Sequence, residues 1–133
     1  MILLDTHVLI WLVSAERAIG PRSTAFVRDA LGQERLTISA FSMWEIAMLA
    51  RKNRLELGDR PAAFWARVLD QGVREVPVTG RIGIAAVELT PFHNDPADRI
   101  IAATALAHDA TLITADDRLL AWRGALKTHD ARL

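Results

Sequence analysis

The chain has 133 residues, and its sixteen Lys and Arg residues balance its sixteen Asp and Glu residues, so the formal net charge is zero. The length suits one domain, and a composition of 51% apolar and 24% charged residues excludes a disordered chain. The neutral total excludes a uniformly basic phosphate binder, and the lack of cysteine excludes disulfides, thiolate zinc sites and cysteine nucleophiles.

Short apolar runs alternate with helical patterns along the whole chain, which is typical of a parallel sheet covered by helices on both faces. In chain order, the pattern predicts a strand over 1–5, a helix through 8–13, a helix over 22–32, a strand over 35–40, helices over 42–54 and 61–71, a strand over 73–79, helices over 80–89 and 95–109, a strand over 111–114, a helix over 116–123 and a fifth strand over 125–129. We therefore predict one domain, residues 1–133, with a three-layer α/β/α sandwich around a short parallel central sheet.

The charges are unevenly distributed along the chain. Seven cations stand against four acids between residues 51 and 81, whereas six acids stand against Arg99 alone between residues 88 and 117. A neutral total can therefore hide a basic and an acidic surface. The apolar N-terminal run carries Asp5 and His7 without a basic leader, and no segment reaches the roughly 18 apolar residues that a membrane helix needs. We expect a cytoplasmic protein with no membrane contact.

Four acids stand at or near the starts of predicted helices: Asp5, Glu45, Asp98 and Asp116. Each has a local explanation. Asp5 and Asp116 can cap the helices that follow them. Ser42 opens the helix over 42–54 and has the S-x-x-E capping-box spacing with Glu45, while Asp98 suits the positive end of a helix dipole.

Taken together, the same acids point to a site. In a parallel sheet, the carboxyl ends of the strands and the starts of the following helices lie along one edge, where ligand sites form. Carboxylates that converge there raise one another's pKa unless a cation is present, and hard oxygen ligands favour Mg²⁺ or Mn²⁺. A metal site at this edge would suit the hydrolysis of a phosphodiester.

Four segments resemble, in order and spacing, the blocks of PIN-domain ribonucleases of the VapC type, the toxins of toxin–antitoxin pairs. They are LLDTHVLIWL (3–12), ISAFSMWEIAMLARKNRL (38–55), HNDPADRIIAATALAH (93–108) and ATLITADDRLL (110–120), and the resemblance covers nearly the whole chain. It implies a metal-dependent endoribonuclease whose four acidic positions fall on Asp5, Glu45, Asp98 and Asp116. On this basis Asp5 and Asp98 bind Mg²⁺ most directly, Asp116 completes the set, and Glu45 binds through water or accepts a proton.

Supporting roles follow from the same resemblance, which places a hydroxyl in the T-x-D position. Thr114 and Thr6 are therefore expected to support the acids, with Asp117 as a peripheral acid that could replace Asp116. Asp95 is an N-cap before Pro96, and a ligand role is the less favoured alternative. His7 flanks Asp5, but a metal-activated water needs no histidine base.

RNA or partner contacts are expected at Arg51, Lys52 and Arg54, although a solvated helix end explains them equally well. Arg99 is expected either to hold phosphate or to pair with a neighbouring acid. The tryptophans lie in helical apolar patterns, which favours packing in the core or at an interface over base stacking; they are Trp11, Trp44, Trp65 and Trp122.

The resemblance also implies partners: an RNA substrate, a cognate antitoxin that covers the site with a basic residue near the acids, and a homodimer within a toxin–antitoxin hetero-oligomer. Two other function classes stay open at this stage. One is a catalytically silent PIN-like module that binds a protein through the helices over 42–54 and 61–71. The other is a phosphoryl-transfer domain with Asp5 as nucleophile, which His7 and Thr6 disfavour because those folds want an acid there.

Overall fold

The computed structural model of the chain describes residues 1–14 and 18–133. The strands in this part of the chain are β1 (Ile2–Leu4), β2 (Leu36–Ser39), β3 (Arg74–Val76), β4 (Thr111–Thr114) and β5 (Lys127–Asp130). They form one sheet in the order β3–β2–β1–β4–β5, and every neighbouring pair is parallel. The predicted parallel sheet is confirmed.

The helices in the described residues are α1 (Thr6–Val13), α2 (Pro21–Gly32), α3 (Ala40–Arg51), α4 (Pro61–Asp70), α5 (Gly80–Glu88), α6 (Pro96–Ala107) and α7 (Asp117–Ala121). None of these helices has the length and apolar character that a membrane span requires. Gly72 follows α4 with a φ of 104°, a left-handed conformation that glycine adopts without strain and that stops the helix.

The two faces of the sheet carry separate cores, because successive side chains of a strand point to opposite sides. Leu4 is fully buried on the face that packs against α1, α2, α3 and α4. Leu3 is buried on the other face, against α6 and α7, and α5 packs on α6. This arrangement is the predicted three-layer sandwich.

The prediction that Ser42 opens α3 is wrong. The helix begins at Ala40, directly after β2, and the Ser39 hydroxyl accepts a hydrogen bond from the Phe41 amide at 3.1 Å. The chain turns from strand to helix without a loop, so the last strand residue becomes the cap. Ser42 is thereby freed for a contact elsewhere.

The sheet order places a topological switch point between β1 and β4. From β1 the chain continues to β2 on one side, whereas β4 pairs with β1 on the other, with Leu4 opposite Ile113. Ligands of parallel α/β proteins bind in the crevice outside the carboxyl ends of such strands. Asp5 follows β1 and Asp116 follows β4, so both acids lie at this crevice.

Candidate active site

Asp5 is both a helix cap and a buried acid at the carboxyl end of β1. Its side chain is among the buried polar groups, with 5% of the residue exposed. Oδ1 accepts a hydrogen bond from the Thr6 amide at 2.8 Å, and Oδ2 accepts one from the Thr114 hydroxyl at 2.6 Å. One carboxylate thus caps α1 and at the same time contacts the end of β4.

Thr114, at the end of β4, connects two of the predicted site acids. Its fully buried hydroxyl donates to Asp5 and accepts a hydrogen bond from the Asp116 amide at 3.0 Å. A hydroxyl has one proton to donate and lone pairs to accept, so both bonds form at once. Thr114 thereby sets the position of Asp116 relative to Asp5.

Glu45 enters the site from α3 and is held by Thr6. The Thr6 hydroxyl donates to Glu45 Oε1 at 2.5 Å, and the Ser42 hydroxyl lies 2.8 Å from the same Thr6 oxygen. Because the single Thr6 proton points to Glu45, Ser42 is the donor to Thr6. The capping-box explanation of Ser42 and Glu45 is wrong, since these side chains connect α3 to the start of α1.

Asp98 stands in the first turn of α6, behind its N-cap Asp95. Asp98 Oδ2 lies 2.7 Å from His93 Nε2 and 3.2 Å from Arg118 Nη2. Arg118 Nη2 also lies 3.2 Å from Asp116 Oδ2 and 3.9 Å from Asp95 Oδ2. The histidines lack metal-site spacing in the sequence, so the contact of His93 was not predicted; Arg118 was not predicted either, although it stands two residues after a predicted site acid.

The acids at this edge respond differently to their surroundings. Burial raises the pKa of Glu45 and of Asp98. A hydrogen bond from Thr6 to Glu45 and one from His93 to Asp98 lower these pKa values, but the neighbouring carboxylates Asp5 and Asp95 raise both, and the net shift of each pKa is upward. Asp116 is different: burial alone would raise its pKa, but hydrogen bonds from the Arg118 side chain and amide outweigh it and lower the pKa. The same contact raises the pKa of Arg118 above its ordinary value.

His7 supports the backbone beside the acids. Its Nε2 accepts a hydrogen bond from the Ala115 amide at 3.1 Å, so that nitrogen carries no proton. In the neutral ring the proton then sits on Nδ1, which lies 3.6 Å from Asp5 Oδ2. His7 thus ties α1 to the segment after β4, which is a positioning contact.

Two other predicted site residues have different partners. Asp117 is exposed and pairs with Arg132 at 2.8 Å. Arg99 has no acidic partner in the described residues, so the predicted pairing with a neighbouring acid is wrong. Its guanidinium donates to backbone carbonyl oxygens of the segment before α6, those of Ala86, Val87, Leu89, Phe92 and His93. Arg99 therefore holds the loop that carries His93.

The basic stretch of Arg51, Lys52 and Arg54 is exposed at the end of α3, about 9 Å along the helix axis from Glu45. It lies at the opposite end of the helix from the acids. Packing contacts dominate for three of the tryptophans, since Trp11 and Trp65 pack on the core and Trp122 contacts Phe92. Trp44 does not pack in the core, because 56% of it is exposed, so only the interface alternative stays open for it.

The donor set at this edge has the chemistry of a hard-cation site. Carboxylate oxygens of Asp5, Glu45, Asp98 and Asp116 are the ligands that Mg²⁺ and Mn²⁺ prefer. Over residues 1–14 and 18–133, no group of three or more acidic or histidine side chains lies closely enough around one point to hold a metal ion in the present side-chain positions. The Arg118 guanidinium lies close to Asp98 and Asp116.

The PIN domain family matches residues 2–123, so the chain belongs to the PIN-domain family. Within it, the chain is 35% identical over 123 residues to ribonuclease VapC22 of Mycobacterium tuberculosis (strain ATCC 25618 / H37Rv), covering 92% of each chain. The predicted resemblance to VapC proteins is confirmed.

Solved structures share the fold. A VapBC2 complex from Rickettsia felis bound to a promoter DNA fragment contains a chain with a TM-score of 0.72 at 18% identity, covering 97% of this chain and 98% of that one. A DNA-bound VapBC from Salmonella typhimurium contains one with a TM-score of 0.69 at 20% identity, covering 98% of each chain. The predicted fold class is confirmed by this similarity.

Replacing Thr114 by valine is expected to destabilise the fold by about 1–3 kcal/mol, because the Asp116 amide loses its buried acceptor and Asp5 loses a donor. Urea unfolding measures the change. Thr111→Val, on the same strand and only half-buried, is the matched control and should change stability little. Equal effects of the two substitutions would contradict the linking role of Thr114.

Replacing Glu45 by glutamine is expected to raise the melting temperature at pH 7.5. A carboxyl whose pKa is raised on folding is penalised when ionised, and the amide oxygen still accepts from Thr6. The penalty is complete above the raised pKa and vanishes below the ordinary value of 4.5, so the gain should shrink as the pH falls through that window. Glu56→Gln, at an exposed position, is the control, and a gain that is the same at all pH values would contradict this account.

Proposed function

We propose that this protein is a metal-dependent endoribonuclease, the toxin of a toxin–antitoxin pair, which hydrolyses RNA phosphodiester bonds with Mg²⁺ or Mn²⁺ as cofactor. The observation that carries the proposal is the meeting of acids from four separate segments, Asp5, Glu45, Asp98 and Asp116, at the switch point of the sheet. The identity to a ribonuclease over most of the chain supports it.

The family resemblance and the surroundings of the acids support the following roles. Asp5, Asp98 and Asp116 would hold the cation, which when bound lowers the pKa of water and neutralises phosphodiester charge. Glu45 keeps a hydrogen bond from Thr6 and a raised pKa, which brings it closer to neutral pH than an ordinary glutamate. We assign to Glu45 the acceptance of a proton from the attacking water.

Asp5→Asn tests the nuclease proposal. With purified protein and a labelled RNA, cleavage should require Mg²⁺ or Mn²⁺, stop with EDTA, and fall at least about a hundredfold in Asp5→Asn, since the amide loses a charged ligand oxygen. Asp70→Asn, at an exposed position of α4, is the matched control. Equal cleavage by wild type and Asp5→Asn would contradict the site assignment. If neither wild type nor any variant cleaves the RNA, the silent interaction module is favoured.

We also propose a protein antitoxin as the partner, seated in an apolar groove of about 440 Å³ beside α1. Its lining includes Ile10 and Val13 of α1 together with Phe64 and Val68 of α4. Val13 is 52% exposed, and a partner seated in this groove would cover it. Several structural neighbours are themselves described as toxin–antitoxin complexes. A basic antitoxin residue near the acids and a cytoplasmic location stay predictions.

A second copy of the chain is proposed on a different surface, the outer face of α5. Ile84 and Val87 of this helix are 62% and 80% exposed. Together they present an apolar strip that a homodimer would cover, within a larger toxin–antitoxin assembly. The two surfaces belong to opposite layers of the sandwich, so they can be perturbed separately.

Val13→Arg and Val87→Arg test the two surfaces against each other. On co-expression with the product of the neighbouring reading frame, Val13→Arg should reduce co-purification at least about tenfold, because a buried charge disfavours the apolar contact. Val87→Arg should leave that complex intact and shift the free protein from dimer to monomer in light scattering. If both variants behave alike in both assays, the assignment of the surfaces is wrong.

A further inference from the structure

Arg118 is the one residue in the described ranges that places a positive charge against three carboxylates of this edge. Its Nη2 lies 3.2 Å from Asp98 Oδ2, 3.2 Å from Asp116 Oδ2 and 3.9 Å from Asp95 Oδ2. These oxygens come from two different helix starts, those of α6 and α7. The guanidinium is therefore a bridge between segments that would otherwise repel each other.

The carboxylates are held firmly, whereas the guanidinium is not. Asp95 Oδ1 and Asp116 Oδ1 accept hydrogen bonds from backbone amides at 3.0 and 2.8 Å, which fixes these acids as caps. Arg118 has 56% of its side chain exposed and extends on a long stem from the five-residue helix α7. Its charged end can leave the acids by side-chain rotation alone, without disturbing either helix.

We propose that Arg118 is an internal counter-cation, which neutralises Asp98 and Asp116 in the metal-free protein and must turn away when a divalent cation binds. This inference rests on the proposed function, because Asp98 and Asp116 are the oxygens assigned to the metal there. A guanidinium and a divalent ion that contact the same Asp98 Oδ2 and Asp116 Oδ2 oxygens repel each other, since both are positive and lie a few ångströms apart. Arg118 is thus a competitor that lowers metal affinity and protects the fold without metal.

A purely structural clamp makes a different prediction. If Arg118 only held α7 against α6, its loss would weaken the fold equally with and without metal and would not improve metal binding. If it is a counter-cation, its loss should weaken the metal-free fold and strengthen metal binding. Only a counter-cation therefore predicts that the loss of Arg118 lowers the stability of the metal-free fold and raises the affinity for metal.

The test compares Arg118→Gln with Arg123→Gln, an equal change of charge at an exposed position five residues along the chain. Mn²⁺ titrations by calorimetry measure affinity, and thermal melts in EDTA and in excess Mn²⁺ measure stability. Arg118→Gln should bind Mn²⁺ about three- to tenfold more tightly than wild type, in line with a screened and exposed charge contact. It should melt below wild type in EDTA and recover the difference in Mn²⁺.

Each outcome decides the matter. Equal Mn²⁺ affinity of Arg118→Gln, Arg123→Gln and wild type overturns the counter-cation and leaves the proposed nuclease standing. Weaker binding by Arg118→Gln also overturns it, because Arg118 would then assist the metal. If wild type and both variants bind no Mn²⁺, the metal-dependent function falls and this inference falls with it. Arg118→Lys, which keeps the charge, should bind Mn²⁺ like wild type.

Discussion

Carboxylates gathered at one edge of a parallel sheet repel one another. The surrounding residues reduce this repulsion by donating hydrogen bonds to the carboxylate oxygens. Asp5 and Asp116 direct one oxygen each to a backbone amide at a helix start. Asp98 is contacted by His93 and Arg118, and Glu45 by a hydroxyl. Because these carboxylates are partly buried, water stabilises their negative charge less, and hydrogen-bond donors of the protein stabilise it in its place.

The hydroxyl contacts also determine the geometry. Thr114 connects the ends of β1 and β4, while Thr6 and Ser42 connect α1 to α3. A site residue that is displaced from its productive position functions poorly, so the hydrogen bonds that hold the acids in place are important to the site. The raised pKa values of Glu45 and Asp98 indicate that the arrangement is held against an electrostatic cost, as is common at active sites.

Much of the fold was predictable because its signals are local. Apolar runs between helical patterns indicated the five strands, and Asp95 before Pro96 marked the start of α6, as the structure has it. The start of α3 was missed because Ser39 and Ser42 are both good caps, and only the end of β2 decides between them. Arg99 was misjudged for a similar reason, since an arginine beside acids looks like an ion pair until its carbonyl partners are in place.

The sequence by itself determined the fold class and the family and singled out four acids as a candidate site, because these depend on residue type, order and spacing along the chain. The resemblance singled out Thr6 and Thr114, but only the tertiary structure decided which acid each of them contacts. Thr6 meets Glu45 across 39 positions and Thr114 meets Asp5 across 109, contacts that no local pattern encodes. Arg118 reaches Asp98 only because β4 pairs beside β1 and α6 packs over the same face. The contact between Arg118 and Asp98 therefore depends on long-range strand pairing and not on local sequence preference.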